Sequence, residues 1–322
     1  MGIVVHSAIF GVLIPVFVGA LIIAVNMFVF TKSSPSDEEQ TTTSTWSWFG
    51  GLALAAAYAA GHIGLLQFPS MTTTGSIPRL FWCAVFAVGL AALESFLKLP
   101  TIVKWLVRVV FLGIVGYLMF GYIVAAGTWT TGKAALNISL MAGLGTLFWF
   151  LTEDATSEQT DTHTAWTYML YALGLSIVLV LAESAKLAQL CGALVSGIGI
   201  WWVSSWFGAR IGKSLSLSRG VAPVFIVLSV GLAAIGKFEA NLHTASAFLL
   251  VVPMVLLALQ TRFLQRDVLW QRIGLQAGLL LIPLIIAGAL MLGKAPAKSE
   301  DKGDDAYDPY SSIHRVVDTR RA

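Results

Sequence analysis

Long apolar segments with uncharged centres alternate with short polar stretches along nearly the whole chain. About 20 apolar residues at 1.5 Å each cross the hydrocarbon of a bilayer, so runs of this length predict membrane-spanning helices. In lipid every backbone amide must be satisfied within its own segment, which leaves helices or a closed barrel. These runs are far longer than barrel strands of about 10 residues and lack strict alternation. The pattern therefore predicts an all-α, polytopic integral membrane helix bundle. Ten spans are expected, at 3–30, 47–67, 78–97, 101–127, 134–151, 165–182, 187–209, 221–238, 244–261 and 270–292. The first is too long for the core of a signal peptide and reads as a retained span. The two short spans flanking Lys237 are the ones on which the parity of the count depends.

Composition agrees. The chain is 57% hydrophobic and 11% charged, against about 25% charged in a soluble domain. All eleven tryptophans fall near expected span ends, where an amphipathic indole settles at the headgroup boundary. A net charge of +3, without a basic patch, points away from nucleic acid. Cys83 and Cys191 both lie in apolar segments and read as small buried hydrophobes.

Lysine and arginine set orientation. With ten spans, Lys32, Lys98, Lys104, Arg108, Arg210, Lys213, Arg219, Arg262, Arg266 and Arg272 share one side. Arg79, Lys133, Lys186 and Lys237 share the other, with the lysines of the tail. The richer side is expected to be cytoplasmic and both termini non-cytoplasmic. Residues 1–293 form the transmembrane domain. Residues 294–322 are polar and charged, too poor in apolar area to offset their ordering entropy, and read as a disordered tail.

Motifs of catalysis do not survive inspection. Gly208–Ser214 is one residue short of a phosphate loop and follows a membrane helix rather than a strand. Ser95-Phe96-Leu97-Lys98 matches S-x-x-K without its companion motifs. Ser176 lies mid-span with no base nearby, and reads as a packing serine. Glu94 with Lys98, and Glu183 with Lys186, stand at helical pair spacing. The stretches around Glu94 and Glu183 echo one another three spans apart, a faint sign of an inverted repeat.

Six residues are candidates for a substrate path. His62 ends the second span, whose small-residue rows Gly51, Ala55, Ala59 and Ala53, Ala57, Gly61 suit close helix contact; it is expected to be an interfacial, hydrogen-bonded histidine. Lys237, Glu239 and His243 cluster between two short spans, and ionisable groups at membrane depth are functional suspects. Pro253 and Pro283 sit mid-span, where proline frees a carbonyl four residues back. Such carbonyls bind substrate in broken-helix transporters.

The reading is a permease for a neutral or lipid-like solute, without buried-carboxylate ion coupling. The alternative is a non-catalytic membrane scaffold or complex subunit. Nothing indicates an enzyme, a cofactor or a metal; the expected partners are the bilayer, a small solute and a protein met by the C-terminal tail. A polar cavity reaching mid-membrane between the second, ninth and tenth spans would favour transport, and a solid interior there would count against it.

Overall fold

The computed structural model describes residues 5–6, 8–30, 48–70, 75–97, 99–156, 160–211, 217–263 and 269–292. Among them there is no strand. Helix α1 (Ile14–Val25) is flanked by π-helical turns at Ile9–Leu13 and Asn26–Phe30. There follow α2 (Trp48–Leu66), α3 (Ser76–Phe96), α4 (Thr101–Ala125), α5 (Thr131–Thr156), α6 (Asp161–Leu181), α7 (Ala185–Arg210) and α8 (Ser218–Phe238). A short α9 (Thr244–Leu249) leads to α10 (Val252–Phe263), and α11 (Leu269–Leu292) is the last described helix. Nine helices among the described residues are long and apolar enough to cross a membrane. The tail 294–322 lies outside the described residues.

Short connections make successive helices antiparallel neighbours, so the bundle has two ends. Face I carries the end of α3, the start of α4 and the end of α5; face II carries the start of α3, the end of α4 and the end of α8. The expected ninth span is not one helix. It is α9 and α10, broken at Leu250–Val251. The first piece lies beside the end of the last described helix: the Ser246 hydroxyl donates to the Ala287 carbonyl at 2.9 Å, and the His243 amide approaches the Met291 sulfur at 3.4 Å. Those contacts place the last turns of α11 beside α9 at face II. With 24 residues, or about 36 Å, α11 begins at face I, so α9 and α10 together lead the chain from face II toward face I.

The core sits around α8, which touches α2, α3, α5 and α6. Its faces are apolar all round, as an enclosed helix requires, and Val224, Phe225, Leu228 and Leu232 are fully buried. Phe225 stacks on Tyr168 with ring centroids 4.1 Å apart. The small residues of α2 serve close approach. A Cβ on Gly51 would stand 2.4 Å from the Gly220 carbonyl oxygen of α8, and one on Gly61 would stand 2.5 Å from the Ala193 Cβ of α7. At these glycines α2 packs closely against α7 and α8.

The tryptophans are not all interfacial. Trp149 and Trp201 are buried and Trp129 nearly so; Trp129 stacks on Phe120. They lie near span ends but work as packing residues, facing protein where a headgroup belt was expected.

Candidate functional site

At face I, sequence reasoning missed an ion cluster. Lys104 and Arg108 lie one turn apart on α4, Trp149 and Glu153 one turn apart on α5, and Glu94 lies in the last turn of α3. Arg108 is only 1% exposed. Its Nε and Nη2 donate to the two oxygens of Glu94, each at 2.8 Å. Its Nη1 and Nη2 donate to Glu153 at 2.8 and 2.6 Å. The guanidinium also lies over the rings of Trp105 and Trp149, 4.6 and 4.5 Å from their centroids. Lys104 Nζ stands 3.8 Å from both carboxylates. Two glutamates, one arginine and one lysine sum to zero charge. The guanidinium spends four of its five N–H groups here, so it is a clamp joining α3, α4 and α5, with little left to offer a substrate. The expected partner of Glu94, Lys98, lies outside the described residues.

At face II a second polar group ties the same α3 and α4 to α8. The Glu239 carboxylate accepts from the hydroxyls of Ser76 and Tyr122, the latter at 2.6 Å. Ser76 also contacts the Met119 carbonyl. Arg79 donates to the Leu118 carbonyl at 2.9 Å and lies over the Tyr122 ring. The echoing glutamates thus differ: Glu94 is clamped at face I, while Glu183, exposed at face II with a positive φ of 62°, accepts from Asn241 at 3.2 Å.

The candidate residues separate. His62 is 1% exposed, with its ring between Phe81 and Tyr58 and its Nδ1 without a hydrogen-bond partner. It is a core residue of α2, in place of the expected interfacial histidine, because the aromatic side chains of α2 and α3 close over it. Among the described residues no group of three metal-ligating side chains forms. His243 caps α9, its Nδ1 accepting from the Ala245 amide at 3.3 Å. Pro283 lies inside an unbroken α11. Ser176 donates to the Ala188 carbonyl of α7 at 3.1 Å, the packing role expected of it.

Of the six candidates Lys237 lines a cavity of about 230 Å³ between α5, α8, α9 and Tyr171 of α6, and Pro253 stands just past its edge, two residues beyond the lining Val251. Pro253 has no N–H for the Leu249 carbonyl, and the turn above it tightens: the Val251 amide donates to the Phe248 carbonyl and the Met254 amide to that of Val251. The Leu250 carbonyl, exposed by the break, takes the Tyr171 hydroxyl at 3.1 Å. Tyr171 is the eleventh residue of the twenty-one in α6, so the break lies near mid-depth. Lining residues on α5 run from Asn137 to Phe148, about 16 Å of helix. Ala233, Ala234 and Ala247 leave the room, and Lys237 and Thr244 stand at the face II end. This slot is largely apolar and is lined by neither α2 nor α11 among the described residues; it is not the polar cavity between α2, the α9–α10 pair and α11 that would have favoured transport. The signal available in the sequence was Pro253 beside small residues on α8 and α9; the α5 wall carried none. Compared with known protein families, curated proteins and solved structures, the chain matches none.

Proposed function

We propose that this multi-pass membrane protein is a permease for a lipid-like solute, working without buried-carboxylate ion coupling. The observation that carries the reading is the helix break at Leu250–Val251, set against an apolar slot that runs from face II to mid-depth. Broken helices at mid-membrane are where transporters place substrate, and an apolar wall selects an apolar body. Glu94 and Glu153 are committed to Arg108, which leaves them poorly placed to carry a coupling ion. Face I, with the richer set of basic residues, is the cytoplasmic side in this reading, and the C-terminal tail is available for a protein partner.

The test is flux in proteoliposomes across a panel of apolar and amphiphilic solutes. Rates above those of protein-free vesicles for at least one lipid-like solute support the permease. Rates equal to protein-free vesicles throughout favour the second reading, a non-catalytic scaffold, for which the close helix packing at Gly51 and Gly61 speaks.

A further inference from the structure

We infer that the slot takes a single-chain anionic amphiphile, with its headgroup on the Lys237 ammonium and its chain lying along α5. The inference rests on the lipid-like reading above and adds the charge and shape of the ligand.

Charge comes first. Lys237 is the one charged side chain among the described residues lining the slot. Its Nζ donates to Thr244 Oγ1 at 2.5 Å, and among the described residues no carboxylate forms an ion pair with it. The acids of the same face are occupied elsewhere: Glu239 by Ser76 and Tyr122, Glu183 by Asn241. An ammonium has three donors, so two remain for an anion. A neutral ligand would leave those two donors to water, since Lys237 is partly exposed, and a zwitterion would bring a second cation against them.

Shape follows. The wall is polar at face II, with Asn137, Lys237 and Thr244, and apolar deeper, with Leu144, Val230 and Phe148. A volume of about 230 Å³ equals about eight water-sized volumes. It lies below the range of about 300 Å³ and upward typical of drug-sized sites. Part of one narrow chain is enclosed, the rest lying in lipid at the open side, and two chains do not fit.

Access is sideways. Leu140 and Phe248 line the slot yet are 47% and 53% exposed on the outer surface of the bundle, which in a membrane is lipid. A ligand already in the bilayer can slide between α5 and α9 while its headgroup stays at the interface. A carboxylate or a monophosphate head meets these demands equally.

The experiment uses the full chain in nanodiscs with diazirine-bearing palmitic acid, the methyl ester of that acid, and a diazirine-bearing lysophosphatidic acid. Crosslinks are mapped by mass spectrometry. Saturable labelling of α5, α8 and α9 by either acid, competed by the unlabelled acid, is expected, and the tighter of the two identifies the headgroup. The ester should bind about tenfold more weakly, the loss of one charge-assisted contact. Lys237→Gln should lower the acids to the level of the ester, and Lys237→Arg should retain the preference. Equal saturable labelling by acid and ester in the unaltered protein overturns the anionic inference and leaves the lipid-like reading standing. Unsaturable labelling spread over every lipid-facing helix overturns both.

Discussion

A buried arginine is tolerated only where its charge and its N–H groups are matched, and at Arg108 two glutamates and two indoles do the matching. Removing one member of such a set is worse than removing all of it, because the remaining charges stay buried without a partner. Arg108→Leu should cost about 3–5 kcal/mol, read as a fall in unfolding free energy in bicelles. The triple variant R108L/E94Q/E153Q should recover most of that loss. A single variant as stable as the parent would refute the clamp. The cluster was illegible in the sequence because its partners lie 14 and 45 positions away from Arg108, beyond any helical pair rule. Arg108 read as an orientation signal near a span end. His62 faces protein, as its small-residue helix suggested, but its depth and missing partner were hidden for a related reason: its position near the end of α2 says nothing of Phe81, which covers it from α3.

Span existence was legible wherever a long apolar run stood between polar turns, since the bilayer imposes length and internal hydrogen bonding together. The broken span was half legible. Pro253 marked the place, but the sequence could not show that Tyr171 would hold the Leu250 carbonyl, a contact 79 residues apart. Pro283 carries the same local signal and leaves α11 continuous, so proline alone does not decide. The proposed role of the break makes a prediction about α9 and α10 as a unit. Pro253→Ala restores an amide donor to the Leu249 carbonyl and favours one continuous helix. Flux of the transported solute should fall severalfold, with stability unchanged or raised. Flux equal to that of the parent would separate the break from transport.

For the molecule as a whole, helix order places the 125–131 and 181–185 connections on face II, and the proposed orientation makes that face non-cytoplasmic. A single cysteine at Thr128, in a background with Cys83 and Cys191 replaced by alanine, should react with a membrane-impermeant maleimide on intact cells. Reaction only after lysis would invert the bundle. The larger claim is that a lipid-like solute passes through the slot between α5, α8 and the α9–α10 pair. Ala233 lines that slot and leaves part of its room, and it is partly exposed, so Ala233→Leu fills space that is already open. The most direct measurement is the flux of spin-labelled stearate in proteoliposomes carrying the parent protein or Ala233→Leu, with both confirmed folded. The parent should exceed protein-free vesicles and Ala233→Leu should match them. Equal flux through both proteins, or none above protein-free vesicles through the parent, would contradict the account.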